Sequence, residues 1–345
     1  MIPLRIGILA PITWRVPPRR YGPWEHVAGL LAEGLVARGH DVTLFAAGTS
    51  ETRARLETVC PRPTGEDPSL DPALYLPLHI ANAFRRAGEF DLIHNHLNWL
   101  PLTYAELVRT PVVTTLHGAA MLEPLSRQAF LRFRDRPYVA ISRAEIEAVP
   151  ELNYAGLVPN GIDLREFPFR PEPDPDPYLL FLGRASPKKG LHLAIELARR
   201  AGWRLLIAAH VPPDEQEFFR TRVEPHLDGD RIRYVGEVGG EERARLLGGA
   251  RALVHLCTVP EPFGLVLAEA QACGTPVIGM DLGSVAEVVA HGETGFVVRD
   301  LDEAVTALRR LGEIDRAACR RRAEAHYSAE RMVEGYLEVY RRVLG

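Results

Sequence analysis

Two carboxylates stand with seven residues between them in Glu261-Pro-Phe-Gly-Leu-Val-Leu-Ala-Glu269. The stretch follows an apolar run and opens a helical pattern, so Glu261 falls in the loop before the helix and Glu269 in its second turn. Gly264 lets backbone N–H groups point outward beside the positive helix end, a setting that suits an anion. Each carboxylate could then grip a pair of hydroxyls next to that anion. A second stretch is Gly183-Arg184-Ala-Ser-Pro-Lys188-Lys189-Gly190. Its glycines allow close backbone approach, and Arg184 and Lys189 offer charged donors to a diphosphate. No G-K-[ST] ends it, so it is not a Walker loop. The blander readings are a solvated helix face with a glutamate at either end, and a basic turn at a helix start. The second is weakened because Lys188 and Lys189 are the only lysines in a chain that otherwise uses arginine.

Other residue sets carry less. His117 ends an apolar run just before Gly118, at the edge of a sheet where a ligand would lie, although a structural histidine also fits. His94-Asn-His96 suggests a metal pair but lacks a carboxylate or cysteine at convincing spacing. It reads better as a strand end, with His96 facing an acceptor. Asp174-Pro-Asp176 imitates a D-x-D metal motif inside a proline-rich stretch and reads as hinge. No metal is expected. Arg15, Arg19 and Arg20 flank Trp14 and Tyr21. That cluster suits an anionic or ring-shaped acceptor as well as it suits a solvated basic loop.

These residues need elements to hold them. Leu4–Ala10, Val42–Ala47, Asp91–His94, Val112–Leu116 and Tyr138–Ile141 are short apolar runs of the kind that form buried parallel strands. Helical patterns cover Trp24–Arg38, Leu76–Ala87, Trp99–Arg109 and Leu122–Arg134. Pro168–Pro177 (PFRPEPDPDP) is half proline, which excludes helix and central strand and predicts a semi-rigid linker. Beyond it, strands are expected at Tyr178–Leu182, Arg204–Ala208, Arg231–Val235, Ala252–Leu256, Pro276–Gly279 and Phe296–Val298. Helices are expected at Leu191–Ala201, Asp214–Pro225, Glu241–Gly249, Leu265–Ala272 and Ala329–Val343. Strands alternating with helices predict an α/β fold of two doubly wound, Rossmann-like domains facing across a cleft. The expected division is 1–168, a linker at 169–177, 178–328, and a C-terminal helix at 329–345.

Composition narrows the class. The chain has 345 residues, 46% hydrophobic and 25% charged, with a net charge of −4. This is an ordinary globular mixture with no bulk attraction to nucleic acid. No run reaches the ~18 apolar residues of a membrane span, and the start lacks a secretory pattern. Cys60, Cys257, Cys273 and Cys319 are scattered, as buried thiols of a cytoplasmic protein would be.

Taken in order, the motifs resemble the family-four retaining glycosyltransferases of the GT-B fold (glycosyl transferases group 1), along essentially the whole chain. The GR-x4-KG and E-x7-E stretches have the family's order and separation. Around them stand Tyr21-Gly22-Pro23-Trp24-Glu25, Arg38-Gly39-His40-Asp41-Val42, Asp91-Leu-Ile-His94-Asn-His96, Thr115-Leu116-His117-Gly118, Ile141-Ser142 and Val158-Pro-Asn160-Gly161-Ile-Asp163. Glu269-Ala-Gln-Ala-Cys-Gly274-Thr-Pro276-Val277 and Gly292-Glu-Thr-Gly295-Phe follow.

The resemblance implies a nucleoside-diphosphate sugar as donor substrate and no separate cofactor. It assigns the diphosphate to Arg184, Lys189 and the Gly183 turn, donor-sugar hydroxyls to Glu261, and the ribose to Glu269. Backbone amides of Phe263, Gly264, Leu265 and Val266 would complete the phosphate site. Gly22 would approach the phosphate, and His117 would lie beside the reacting sugar, which makes His117, Arg184, Lys189 and Glu261 the catalytic set. Arg15, Trp24, His96, Trp99 and Met121 fall on the acceptor side. The C-terminal helix would cross back onto the first domain.

Two departures stand out, Pro23 in place of a second glycine and Thr258 in place of a serine. Family frequency favours glucose from UDP-glucose, then mannose from GDP-mannose. The acceptor is open between a small metabolite, a lipid and a polysaccharide. Peripheral membrane association and either a monomer or a homodimer are compatible with the sequence. The competing classes are a sugar-nucleotide-binding regulatory protein and an epimerase or hydrolase on the same fold.

Overall fold

A computed structural model describes residues 3–345. The strands are β1 (Arg5–Leu9), β2 (Asp41–Phe45), β3 (Arg55–Glu57), β4 (Leu92–Asn95), β5 (Val112–Thr115), β6 (Tyr138–Ala140), β7 (Tyr154–Leu157), β8 (Leu179–Arg184), β9 (Leu205–His210), β10 (Ile232–Gly236), β11 (Ala252–His255), β12 (Val277–Met280) and β13 (Gly295–Val298). The helices are α1 (Pro23–Ala37), α2 (Pro72–Arg85), α3 (Leu102–Ala105), α4 (Ala119–Leu122), α5 (Pro124–Arg132), α6 (Arg143–Ala148), α7 (Leu191–Ala201), α8 (Gln216–Arg222), α9 (Gly240–Gly249), α10 (Leu265–Ala272), α11 (Val285–Val288), α12 (Leu301–Arg310), α13 (Arg316–His326) and α14 (Ala329–Leu344).

The chain forms two compact units, Met1–Gly161 with Ala329–Gly345, and Ile162–Ser328. In the first, seven strands run parallel in the order β3-β2-β1-β4-β5-β6-β7. In the second, six run parallel in the order β10-β9-β8-β11-β12-β13. Each is a doubly wound α/β sheet whose order reverses at one place, between β1 and β4 and between β8 and β11. Ligands of such sheets bind outside the carboxyl ends of the strands at that reversal. The chemistry-bearing stretches after β8 and β11 leave their strands at that end.

Local chemistry explains the departures from the expected elements. Pro124 can start a helix but cannot continue one, so the run expected over Leu122–Arg134 becomes α4 and α5. Asp71 accepts from the Ala73 N–H and starts α2 before Leu76. The helix expected over Trp99–Arg109 is only the single turn α3. The edge strands β3 and β7 and the helices α6, α11, α12 and α13 come in addition. The inward residues of α13 are Arg316, Cys319 and Ala323, the first of them charged. Arg316 is buried and donates to the carbonyls of Arg170, Gly248 and Ala250 and to Thr275 Oγ1.

The proline-rich stretch is not a free linker. The unit boundary falls at Gly161/Ile162, and residues 168–177 lie in the second unit. There the Arg170 N–H donates to Cys273 O at 3.0 Å and the Asp174 N–H to Gly249 O at 2.9 Å. Asp176, half of the D-x-D imitation, pairs with Arg204. Helix α14 belongs to the first unit and packs on α1, where a Cβ on Gly34 would meet Val333 Cγ2 at 2.4 Å. Among the described residues no helix is long and apolar enough to cross a membrane.

Candidate active site

In the second unit, β8 runs directly into the basic turn, and Gly190 begins α7 in a left-handed conformation (φ 71°). A Cβ there would sit 1.7 Å from Leu256 O, so only glycine allows this approach to the loop after β11. The Thr258 N–H donates to Lys188 O at 2.9 Å, and Thr258 Oγ1 donates to Pro187 O at 3.1 Å. The hydroxyl retained at this departure from the family pattern therefore ties the two loops. Gly190→Ala is expected to destabilise the protein by at least ~2 kcal/mol through left-handed strain and displacement of this loop. Urea unfolding measures it, and a midpoint equal to wild type would refute the tight approach.

The tie brings Lys189 Nζ to 2.5 Å from Glu261 Oε2. His255, the last residue of β11, donates its Nε2–H to the same oxygen at 2.8 Å. Glu261 is only 5% exposed. Burial by itself raises its carboxyl pKa, but Lys189 and the His255 hydrogen bond outweigh burial and hold it at about 2. Its backbone is fixed too, with its N–H on Leu282 O and its C=O accepting from Ser284 N–H. The result is an ionised, rigidly held hydroxyl acceptor beside a cation.

Arg184 lies at the end of β8, about a third exposed, and donates to Asp214 Oδ2 at 2.8 Å. Gly264 (φ 75°) opens α10, and the first-turn N–H groups of Leu265 and Val266 have no carbonyl to meet inside the helix. Phe263 is buried edge-on against Tyr327. Glu269, expected at the ribose, is 1% exposed and ion-paired with Arg243 of α9. Burial raises its carboxyl, and Arg243 opposes that rise. The sequence reading missed His255 and Arg243. His255 had a weak signal, a single polar residue inside the apolar run Ala252–Leu256, six residues before Glu261.

In the first unit, His117 follows β5 with φ 50°, a conformation uncommon outside glycine, and Gly118 continues it at φ 85°. Glu145 of α6 clamps that turn, accepting the Gly118 N–H at 2.5 Å and the Ile141 N–H at 2.9 Å. Burial raises its carboxyl to about 7 despite those bonds. Trp24 stacks on His117, with centroids 5.3 Å apart and planes at 19°. Behind it His96 Nδ1 lies 2.9 Å from His117 Nε2, and His96 Nε2 lies 3.3 Å from His94 Nδ1. His94 meets Tyr340 OH at 2.7 Å through Nδ1 and Thr115 Oγ1 at 2.8 Å through Nε2. All three rings are buried, and burial lowers His94 and His117 to about 3 and His96 well below its usual value.

Several acceptor-side expectations change. His96 does not face outward but is enclosed between His94 and His117. Arg15 is buried and paired with Glu51 at 2.8 Å, so it is not presented from an open loop. Trp99 and Trp24 pack partly buried against the cluster around Leu116 and Phe130, and Met121 is half-buried in α4. Gly22 adopts φ 146° before α1, with Pro18 and Trp14 where a Cβ would go. Glu25, in the first turn of that helix, is buried, accepts the Trp14 N–H at 3.1 Å and is raised by burial to about 7.

Comparison with known proteins gives a consistent picture. The family model described as Glycosyl transferases group 1 matches residues 164–327, and that described as Glycosyltransferase Family 4 matches residues 25–166. The chain is 27% identical to a glycogen synthase of Mycobacterium tuberculosis, over 91% of this chain and 88% of that one. It is 28% identical to a phosphatidyl-myo-inositol mannosyltransferase of the same organism, over 86% and 82% of the two chains. Among solved structures it is similar to AviGT4, a glycosyltransferase involved in avilamycin A biosynthesis. The TM-score there is 0.73 at 28% identity, over 99% of this chain and 98% of that one.

Proposed function

Because the chain belongs to the group 1 glycosyl transferases of the GT-B fold, we propose that it is a metal-independent, retaining hexosyltransferase that uses a nucleoside-diphosphate sugar. Glucose from UDP-glucose is the first assignment and mannose from GDP-mannose the second, in line with the names of the glycogen synthase and mannosyltransferase relatives. The acceptor carries a hydroxyl, on a small metabolite, a lipid or a polysaccharide.

The observation that supports this reading best is the Lys189–Glu261–His255 cluster beside the Arg184 turn. Cleaving the donor's anomeric C–O bond puts charge on the leaving diphosphate, and Lys189 and Arg184 offset that charge as it grows. Glu261, kept ionised by Lys189 and His255, accepts hydroxyl hydrogens of the donor sugar and fixes the ring. The N–H groups that open α10 add donors for the phosphate. His117 is the first unit's residue assigned to the sugar. No carboxylate or hydroxyl is assigned as a nucleophile. The acceptor oxygen attacks from the face the diphosphate leaves, and a phosphate oxygen takes its proton.

A thermal-shift series with UDP, GDP and ADP tests the donor. A nucleotide at ~100 times its dissociation constant stabilises the fold by about 2.7 kcal/mol, and UDP is expected to stand out. Transfer assays with UDP-glucose and GDP-mannose then follow the product's anomeric configuration, which is expected to match the donor's. Free sugar without acceptor, or an interconverted donor, would replace this reading with a hydrolase or epimerase; binding without turnover would replace it with a regulatory protein. A chelator is expected to leave the rate within about twofold, whereas loss of activity restored by a divalent ion would overturn metal independence.

A further inference from the structure

The three imidazoles of the first unit continue into α14 as one hydrogen-bonded chain. It runs from His117 Nε2 to His96 Nδ1, from His96 Nε2 to His94 Nδ1, from His94 Nδ1 to Tyr340 OH, and from His94 Nε2 through Thr115 Oγ1 to Tyr336 OH at 3.0 Å. All of these groups are buried. A neutral imidazole carries one N–H and one bare nitrogen, so the direction of any one of these bonds fixes the direction of its neighbours. Burial keeps the rings neutral.

Only two orders satisfy the chain. In one, Tyr340 and His96 Nε2–H both donate to His94 Nδ1, His94 Nε2–H donates to Thr115, and His117 Nε2–H donates to His96 Nδ1. In the other, the single Nδ1–H of His94 is shared between the Tyr340 oxygen and His96 Nε2, His96 Nδ1–H donates to His117 Nε2, and Thr115 donates to His94 Nε2. The 2.7 Å contact between Tyr340 and His94 decides between them. A phenol O–H into an imidazole nitrogen pairs the better donor with the better acceptor, and 2.7 Å is the length of a sound O–H hydrogen bond. Either order leaves one buried hydroxyl hydrogen without an acceptor, that of Tyr340 in the reversed order and that of Thr115 or Tyr336 in the first. The balance therefore rests on the reversed order spending the imidazole N–H on a weakly basic phenol oxygen and giving the imidazole nitrogen the weaker alcohol donor of Thr115.

We propose that Tyr340 is a positioning residue whose hydroxyl, donated to His94 Nδ1, sets His94, His96 and His117 all as Nε2–H tautomers. His117 Nδ1 is then a bare acceptor, and that it takes a hydrogen from a sugar hydroxyl rests on the function proposed above. The contribution of α14 to the site is thus chemical as well as architectural, although neither tyrosine touches His117 itself.

Removing the Tyr340 hydroxyl makes the opposite order the better one. With phenylalanine there, the reversed chain pairs every remaining hydroxyl hydrogen, Tyr336 to Thr115 and Thr115 to His94 Nε2. The original order leaves one of those two hydrogens without an acceptor. Tyr340→Phe should therefore turn all three rings to Nδ1–H. Tyr336→Phe, which removes a hydroxyl from the same buried face but leaves the Tyr340–His94 bond, should not.

Long-range proton–nitrogen correlation spectra of protein labelled with ¹⁵N-histidine read the tautomers directly, with His96→Gln and His117→Gln spectra supplying assignments. Nε2–H at all three positions in the wild type and in Tyr336→Phe, and Nδ1–H in Tyr340→Phe, is the expected result. A wild-type His117 with its proton on Nδ1 overturns the proposal, as do unchanged tautomers in Tyr340→Phe or a reversal in Tyr336→Phe. These spectra need no substrate, so their outcome is separate from that of the transferase reading. In a transfer assay, Tyr340→Phe is expected to lose about tenfold or more in kcat/KM while Tyr336→Phe stays near wild type. Equal rates with reversed tautomers would remove the role of Nδ1 toward the sugar.

Discussion

Lys189→Met is expected to lower turnover by about two to three orders of magnitude, the range seen when one preorganised charge stabiliser is deleted from an active site. The same change should destabilise the fold, because Glu261 is buried and Lys189 does most to keep it ionised. The loss should stay below the ~3–5 kcal/mol of a fully buried broken pair, since Lys189 is a third exposed and His255 remains on the carboxylate. Without Lys189, the Glu261 carboxyl rises, opposed only by His255. Arg184→Gln offers the contrast. Its partner Asp214 is exposed, and such pairs contribute little to stability, so turnover should fall with the unfolding midpoint nearly unchanged. Steady-state rates and urea unfolding of both variants test this. Turnover of Lys189→Met within tenfold of wild type would remove lysine from the mechanism.

Acid should destabilise this protein unusually steeply, by about 2.7 kcal/mol per pH unit between roughly pH 6.5 and 4.5. His79, His94, His96 and His117 are buried and neutral, with burial lowering His79 to about 4, His94 and His117 to about 3, and His96 further. Each contributes fully above the unfolded histidine pKa and loses its contribution as pH falls below it. Glu25 and Glu145 act in the opposite sense, because burial raises both to about 7. Their contribution is full below the unfolded carboxyl pKa and fades as pH rises toward 7. Among these six groups, unfolding takes up four protons at the histidines and releases two from the glutamates across the window, a net uptake of two, while His40 and His192, lowered, and Glu166 and Glu269, raised, act in opposing senses. The accumulated loss of about 5 kcal/mol is comparable with the whole stability of many domains. Unfolding midpoints at pH 7.5, 6.5, 5.5 and 4.5 measure it. A flat profile would mean that the imidazoles are not neutral in the fold.

The alternation of apolar runs with helical periods made the doubly wound sheets legible, because buried parallel strands such as Leu179–Leu182 are hydrophobic on both faces. Elements that escaped have physical reasons. The inward side of α13 is Arg316, whose guanidinium satisfies backbone carbonyls, with the small residues Cys319 and Ala323, so no stripe of large hydrophobic residues advertises it. The edge strand β3 is three residues with little apolar surface. Proline content correctly excluded helix and strand over residues 168–177, yet it could not show that two backbone N–H groups there bond into the second unit. At the site, spacing identified Lys189 and Glu261 but not their contact, which depends on Gly190 and Thr258 drawing two loops together. His255 was hidden inside a strand. Arg243, which seals Glu269, lies on a separate helix at a distance in sequence that no local pattern bridges. The enclosure of His96 and the burial of Arg15 follow from tertiary packing, to which polar residue types in a loop gave no guide.

The interrupted sequence of the first unit also bears on the order in which the protein is made. The second unit is continuous and can close its sheet as soon as residue 328 has emerged. The first unit waits for residues 329–344, because α14 covers α1 and β7 and supplies Tyr336 and Tyr340. Until then its apolar face and the His94 imidazole lie open, and the missing contacts span nearly the full length of the chain. Contacts at such separation form slowly. The half of the molecule translated first is therefore the half whose packing is completed last.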